Sequence, residues 1–212
     1  MNHLELLTGI QTCFDESVSW AKDWSVLDNQ LKSAKFVHEI GNMLWIDKSL
    51  KLNVITAPEI PEKDKKTGNW KHKKGSGEWL LDVTITQNID GFKKKIVWAV
   101  ESESHCSKGA FHEDFAKLFH INSDNHLYLN GLKQKTNEGK DKYIGKRLKE
   151  VEEIIKDCDR TFWFAFWASP CKYKQFTSIW DHLNEEGEFN HLKDIRLFKF
   201  ESGSYKEIEQ LG

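Results

Sequence analysis

The spacing of hydrophobic and polar positions changes several times along this chain, and each change predicts a new element of secondary structure. Apolar residues recur at helical spacing in five segments: 3–24, 28–46, 109–121, 141–157 and 174–184. Short runs rich in β-branched and aromatic residues predict six strands: 51–57, 78–86, 96–103, 126–130, 161–167 and 195–200. The resulting order, α-α-β-β-β-α-β-α-β-α-β, predicts a single α/β domain with a mixed β-sheet flanked by helices.

Three acidic residues interrupt two adjacent predicted strands. Asp82 lies within the apolar run 78–86, and the next strand ends in Glu101-Ser102-Glu103. Alternate side chains of a strand share a face, so Glu101 and Glu103 project together, and Asp82 joins them if the strands pair as a hairpin. Like charges brought together are costly unless a cation neutralises them, and Mg²⁺ binds a few carboxylates together with water and phosphate oxygens. The pattern therefore predicts a divalent-cation site.

Each acid taken alone also fits an ordinary surface role. A strand can end in polar residues, and an Asp can face solvent on a half-exposed sheet. Asp82, however, lies between Leu81 and Val83, and central strands disfavour Asp, which favours a functional reason for it. Glu39 borders the apolar stripe of the second predicted helix, where a flanking surface acid and a residue close to the sheet both fit the pattern.

The order of elements and acids resembles the core of the PD-(D/E)xK nuclease superfamily, which consists of a helix, a three-stranded meander, a helix and a further strand. The resemblance covers about residues 30–130, and it makes residues from about 139 to 212 a C-terminal addition to that core. Asp82 matches the acid of the second meander strand, and Glu101 matches the first acid of the triplet on the third. Glu39 matches an additional acid that many members carry on the preceding helix. The resemblance implies a restriction-endonuclease-like fold.

Two positions depart from the superfamily pattern. Leu81 stands where the name-giving proline would be. Glu103 stands where lysine is usual, which resembles the E-S-E triplet of a minority of type II restriction endonucleases. Lys108, just after the strand, is a candidate for a lysine that has moved, and a solvated surface lysine is the alternative.

The resemblance implies a Mg²⁺-dependent DNA endonuclease, with Mn²⁺ as an alternative cofactor. Asp82 and Glu101 would bind the metal, and Glu39 would bind it directly or through water. Glu103 would orient or deprotonate the attacking water, so these four acids form the expected catalytic set. Restriction endonucleases of this kind usually act as homodimers, so a homodimer is expected, although the sequence indicates no interface.

A lysine-rich segment between the first two predicted strands is the expected nucleic-acid contact. From Lys65 to Gly77 it contains no acidic residue, although the whole chain has a formal net charge of −2. Lysines attract the phosphate backbone without selecting a sequence, and interleaved aromatic residues can stack on bases. The expected contacts are Lys65, Lys66, Trp70, Lys71, Lys73 and Lys74. A solvated loop is the alternative.

Composition sets further limits on the class of protein. The 212 residues are 39% hydrophobic and 30% charged, which is typical of a soluble globular domain with a substantial core. The four cysteines form no CxxC pair, so neither a zinc ribbon nor a disulfide framework is predicted. The chain shows no secretory signal pattern and no apolar run of membrane-spanning length, so a cytoplasmic protein without membrane contact is predicted.

The sequence leaves a second candidate metal set and three functional hypotheses open. That metal set consists of His105, Cys106, His112 and His120, but their spacing matches no zinc-binding pattern. The first functional hypothesis is a DNA endonuclease of the restriction, repair or mobile-element kind. The second is a catalytically inactive protein that retains the nuclease-like fold and binds nucleic acid or a protein partner, which the glutamate in the lysine position favours. The third is an unrelated α/β protein in which the acids are incidental.

Overall fold

The computed structural model describes residues 1–54, 81–90, 93–105, 107–201 and 203–209. Within these segments the helices are α1 (His3–Asp23), α2 (Asn29–Leu44), α3 (Lys108–His120) and α4 (Asn137–Ile155). The strands are β1 (Lys51–Val54), β2 (Val83–Asp90), β3 (Lys93–Glu103), β4 (Ser123–Leu132), β5 (Phe162–Ala168), β6 (Arg196–Glu201) and β7 (Ser204–Ile208).

The described strands form one seven-stranded sheet, in which every strand lies beside the next strand of the chain. β1, β2 and β3 pair antiparallel, β3, β4 and β5 pair parallel, and β6 and β7 complete the sheet antiparallel. The two parallel connections contain α3 and α4, because parallel neighbours require a crossover. The predicted α/β fold with a mixed sheet and flanking helices is confirmed.

Local sequence sets where each helix begins. Asn2 and Glu5 form a capping box at α1, in which each side chain accepts a hydrogen bond from the other residue's backbone N–H. Asp28, Ser107 and Thr136 cap α2, α3 and α4 by accepting hydrogen bonds from N–H groups of the first turn, which have no partner within the helix. Among the described helices, none combines the length and the apolar character needed to cross a membrane.

The strand β5 is buried on both faces, as its continuous apolar run predicts. Phe162 and Phe164 contact Phe115 of α3 on one face. Trp167 on the opposite face contacts Phe36 of α2, against which α1 packs. The sheet therefore lies between a layer that contains α1 and α2 and a layer that contains α3.

The structure differs from the sequence prediction at two places in the C-terminal half. Residues 174–184 do not form an α-helix: Phe176 has a left-handed backbone with a φ of 70°, and Ser178 caps a single 3-10 turn over Ile179–His182. The prediction also missed β7, which is short and mostly polar. It pairs with β6 across a turn that contains Gly203, whose φ is 80°.

The residues expected as an addition to a nuclease-like core, from about 139 to 212, extend the same sheet. β5 pairs parallel with β4, and β6 and β7 continue the sheet from it. Ser169 and Pro170, which follow β5, line the same cavity as Ser104, which follows β3. The C-terminal half therefore contributes one wall of the cavity at this edge of the sheet.

Candidate active site

A cavity of about 480 Å³ lies at the carboxyl ends of β3 and β5. Its walls are formed by the N-terminal half of α2, by the residue that precedes β2 and by the segments that follow β3 and β5. The lining includes Asp82, Ser102, His105 and Cys171. Ligands of open α/β sheets bind in the crevice outside the carboxyl ends of the strands, so the cavity lies where the fold favours a binding site.

Asp82 and Glu101 face each other where β2 begins and β3 ends. The register pairs Val83 with Val100, which places Asp82 opposite Glu101 at the next position. Glu101 Oε2 accepts a hydrogen bond from Asp82 N–H at 3.0 Å, and Asp82 Oδ2 accepts one from Ser102 N–H at 2.8 Å. These two side-chain hydrogen bonds therefore continue the pairing of β2 with β3 by one position. The second oxygen of each carboxylate takes part in neither bond.

Burial raises the pKa values of both carboxyl groups. Glu101 is only 4% exposed, and its burial together with the charge of Asp82 raises its pKa to about 8. Burial also raises the pKa of Asp82 to about 6, against the hydrogen bond from Ser102 N–H, which favours the charged form. Two carboxylates whose charged forms are disfavoured in one place form a site that a cation would stabilise.

A lysine and an aspartate of α3 complete the group of charges. Lys117 Nζ lies 3.2 Å from Glu101 Oε1 and also donates to Asp114 Oδ1, one turn earlier on the helix. Burial would lower the pKa of Lys117, but the hydrogen bonds and charges of Asp114 and Glu101 raise it, so the ammonium form is favoured. The ammonium group therefore holds a position between a carboxylate of the sheet and a carboxylate of the helix.

The sequence prediction missed Asp114 and Lys117, and the lysine that reaches Glu101 is Lys117 rather than Lys108. Lys108 is the exposed first residue of α3, and Lys117 lies nine residues further along the helix. The crossover from β3 to β4 packs α3 back onto β3, so its later turns can face the acids. The i, i+3 spacing of Asp114 and Lys117 shows that they share a face of α3, but it does not show that this face meets the acids of the sheet.

Glu103 adjoins the same group of charges through different contacts. Its Oε1 accepts a hydrogen bond from His105 N–H at 2.5 Å, so its side chain lies along the segment that leaves β3. Burial, followed by the hydrogen bond and charge of Asp114, raises the pKa of Glu103 to about 7. The structure therefore brings Asp82, Glu101 and Glu103 to one edge of the sheet.

The segment that follows β3 is held in place by the end of β4. Asn130 Nδ2 donates to Glu103 O at 3.4 Å, and Asn130 Oδ1 accepts a hydrogen bond from the Tyr143 hydroxyl of α4 at 2.9 Å. Gly131 packs directly against Ser104: a Cβ atom at Gly131 would lie 2.6 Å from Ser104 O. A buried amide and a glycine therefore fix the backbone that carries Glu103.

The structure does not bring Glu39 to this group of acids, which corrects the predicted ligand set. Glu39 forms an ion pair with Lys35, one turn earlier on α2, and its charge acts on Cys13 of α1. Val37 belongs to the α2 face that lines the cavity, and a residue two positions later points about 200° around a helix. Glu39 therefore lies on the α1 side of α2, and Asp82 and Glu101 remain as the paired acids.

Glu39→Gln is expected to leave divalent-cation binding unchanged, because its carboxylate is paired with Lys35 on another face of α2. The loss of a partly exposed ion pair should also affect the free energy of unfolding by no more than about 1 kcal/mol. The measurement is a calorimetric Mn²⁺ titration beside the unmodified protein. A marked loss of cation affinity in a folded Glu39→Gln protein would show that Glu39 is a metal ligand.

The histidines of the second candidate metal set are dispersed. His112 Nε2 lies 3.2 Å from Glu150 Oε2, so it belongs to a contact between α3 and α4. His105 lines the cavity, and His120 is exposed at the end of α3. Cys106, the cysteine of this candidate metal set, lies outside the described residues. The predicted nucleic-acid contacts also lie outside them: Lys65, Lys66, Trp70, Lys71, Lys73 and Lys74.

Asp82 and Glu101 are the candidate metal ligands of this site. Within the described segments, no group of three or more His, Cys, Asp or Glu side chains is arranged to hold a metal ion by itself. Mg²⁺, however, is usually held by one or two carboxylates and completes its shell with water and phosphate oxygens. Asp82 and Glu101 supply two carboxylates, and the Lys117 ammonium group already places a positive charge beside them. Asp82 and Glu101 therefore fit a Mg²⁺ ion that takes its other ligands from water or from a bound molecule.

Comparisons of the chain with protein-family models, with curated proteins and with solved structures return no match. Fold and site together define an α/β protein with paired carboxylates at the carboxyl edge of its parallel strands. A functional conclusion therefore depends on the chemistry of these residues.

Proposed function

We propose that this protein is a metal-dependent endonuclease that hydrolyses phosphodiester bonds of DNA. The observation that carries the proposal is the pairing of Asp82 with Glu101 on neighbouring strands, with Lys117 Nζ 3.2 Å from Glu101. Phosphodiester hydrolysis develops negative charge on the phosphoryl oxygens and the leaving group. Hard oxygen ligands for a divalent cation, together with a lysine, are suited to stabilise that charge.

The arrangement of elements around these acids also supports the proposal. α2 precedes the antiparallel meander of β1, β2 and β3, and α3 leads into β4, which pairs parallel with β3. The PD-(D/E)xK nucleases that the sequence resembles have this order of elements. Asp82 lies one residue before the second strand of the meander, rather than on it as the resemblance implies, and Glu101 lies near the end of the third strand.

Each residue of the group has a distinct chemical role in this proposal. Asp82 and Glu101 would hold Mg²⁺, or Mn²⁺ in its place, and such an ion lowers the pKa of bound water and stabilises phosphoryl charge. Glu103 would orient the attacking water and accept its proton. Lys117 would supply, from α3, the positive charge that a glutamate in the usual lysine position cannot supply.

Cation binding and DNA cleavage by the full chain test the proposal. We expect Mn²⁺ binding in a calorimetric titration, and nicking of supercoiled plasmid that requires Mg²⁺ or Mn²⁺ and stops when EDTA is added. Genomic and single-stranded DNA are included as substrates, because a sequence-specific enzyme needs many different sites. Absence of both cation binding and cleavage would overturn the proposal. DNA binding without either would support the catalytically inactive alternative that Glu103 favours.

Lys117→Met is expected to reduce DNA cleavage by about 10²–10³-fold, the usual effect of removing one group that stabilises transition-state charge. Cation affinity should be unchanged or higher, because the ammonium group no longer competes for Glu101 and Asp114. Plasmid nicking and a Mn²⁺ titration measure the two effects separately. Lower DNA cleavage without lower cation affinity distinguishes a lysine that acts on the substrate from one that only stabilises the fold.

Lys149→Met is the matched control, because Lys149 is exposed on α4. It should cleave DNA and bind Mn²⁺ as the unmodified protein does. Full cleavage by the Lys117→Met protein would show that Lys117 only neutralises Glu101 and Asp114.

A further inference from the structure

The chain forms a closed loop directly after the cavity wall that follows β5. Lys172 and Ser178 pair as an isolated antiparallel bridge, so the two ends of the loop are held together. Cys171, the residue before the bridge, lines the same cavity as Asp82. Residues 172–178, named the Phe176 loop, therefore project from the rim of the proposed active site.

Phe176 is held in solvent by a backbone conformation that its side chain disfavours. The residue is 72% exposed, more than any other large hydrophobic residue of the described chain. Its φ of 70° lies in the left-handed region, where a bulky residue is strained and a glycine is not. Neither the exposure nor the strain stabilises the fold. A binding partner that contacts the Phe176 ring would explain both the exposed side chain and the strained backbone.

Three lysines surround the base of the Phe176 loop. Lys172 and Lys174 belong to the loop and are exposed. Lys174 Nζ lies 5.0 Å from the centre of the Tyr173 ring, and Lys135 Nζ, from the segment after β4, also lies 5.0 Å from it. Two ammonium groups from different parts of the chain therefore lie close to the ring of Tyr173, three residues before Phe176.

Acidic side chains also contact this surface, beside its lysines. Glu188 accepts a hydrogen bond from the Tyr173 hydroxyl and lies 3.8 Å from Lys135 Nζ. Lys133, at the end of β4, adds a further cation whose charge acts on the Cys171 thiol. Asp181 is a second acid at the base of the loop, where it accepts a hydrogen bond from Ser178 N–H. Lys133, Lys135, Lys172 and Lys174 outnumber these two acids, so a polyanion is the partner that the charge favours.

We propose that the Phe176 loop binds an unpaired segment of nucleic acid, with the Phe176 ring stacked on a base and the lysines contacting phosphates. Proteins hold single strands by this combination of aromatic stacking and basic contacts. A membrane-binding surface would combine its lysines with several exposed apolar residues, whereas the Phe176 loop presents one. Because the loop begins next to Cys171, which lines the same cavity as Asp82, this inference rests on the proposed function.

Fluorescence anisotropy of a labelled single-stranded DNA tests the inference. The titration uses the full chain carrying Asp82→Asn, with EDTA present, so that cleavage cannot consume the probe. Phe176→Ala is expected to weaken binding about 5- to 100-fold, the effect of losing one stacked base. Phe176→Trp should retain the affinity. The double variant Lys172→Ala with Lys174→Ala should reduce the salt dependence of binding, because fewer counterions are released.

Two further variants separate binding from a structural role. Phe176→Gly relieves the backbone strain, so its melting temperature should equal or exceed that of the parent protein while its affinity falls as in Phe176→Ala. Tyr205→Ala removes an exposed aromatic residue from the edge strand β7 and should bind DNA as the parent does. A loss of affinity without a fall in melting temperature in Phe176→Gly would exclude a merely structural effect.

The outcomes of this test differ from those of the proposed function. Equal affinity of the Phe176→Ala protein and its parent would overturn the inference, as would a failure of both to bind DNA. Phe176-dependent binding to phosphatidylserine vesicles without DNA binding would also overturn it. Phe176-dependent DNA binding by a chain that neither binds Mn²⁺ nor cleaves DNA would support the surface and overturn the nuclease proposal.

Discussion

Asp82→Asn is expected to abolish Mn²⁺ binding and to reduce DNA cleavage by at least about 10²-fold, because a bound metal supplies several kcal/mol of charge stabilisation. The substitution removes a negative charge but keeps an acceptor for Ser102 N–H, since an amide oxygen can replace the carboxylate oxygen. Burial disfavours the charged form of Asp82, so the melting temperature should equal or exceed that of the unmodified protein. Calorimetry, plasmid nicking and thermal denaturation measure the three effects.

Asp124→Asn provides the matched control for this experiment. Asp124 is exposed near the beginning of β4, at the opposite end of that strand from the cavity, and pairs with Lys95. The same chemical change should there leave Mn²⁺ binding and cleavage intact. If a folded Asp82→Asn protein cleaves DNA at the unmodified rate, the assignment of Asp82 and Glu101 as metal ligands is wrong.

Gly131→Ala is expected to lower the free energy of unfolding by about 1–3 kcal/mol, the usual cost of forcing an additional group into a packed site. The new methyl group would lie 2.6 Å from Ser104 O and 2.9 Å from Ser104 Cα, and both are backbone atoms that cannot rotate away. Displacement of Ser104 would also shift Glu103, so DNA cleavage should fall. Urea denaturation gives the stability, and plasmid nicking gives the activity.

Gly145→Ala is the control, because a Cβ atom at this position of α4 meets no atom of the described residues within 4 Å, apart from the adjacent backbone of its own helix. There alanine should raise the free energy of unfolding by about 0.5–1 kcal/mol, since it is the better helix former. A Gly131→Ala protein as stable and as active as the unmodified one would show that contact with Ser104 does not fix the segment after β3.

Most of the fold follows from local signals in the sequence, and the exceptions have identifiable causes. The helix predicted over 174–184 fails because apolar spacing does not reveal the left-handed backbone of Phe176 or the new turn that Ser178 caps. β7 lies at the edge of the sheet, where polar residues weaken the strand pattern, and Gly203 supplies the turn that leads to it. Both exceptions depend on turn chemistry.

The candidate site was predictable only where the strands alone determine it. Asp82 and Glu101 could be paired because alternation fixes which face of a strand each residue occupies. Glu39 was misplaced, because the border of an apolar stripe does not show whether a residue faces a neighbouring helix or the sheet. Lys117 was missed, since its contact with Glu101 depends on how the crossover returns over β3, which no local pattern specifies.

The sheet order has a consequence for how the chain is made. Every strand pairs with its successor, so pairing can proceed from the amino end as the ribosome releases each segment. The segment that contains Asp82 and Glu101 leaves the ribosome before α3, which carries Lys117. During synthesis, the acidic pair can therefore form before its neutralising lysine is available.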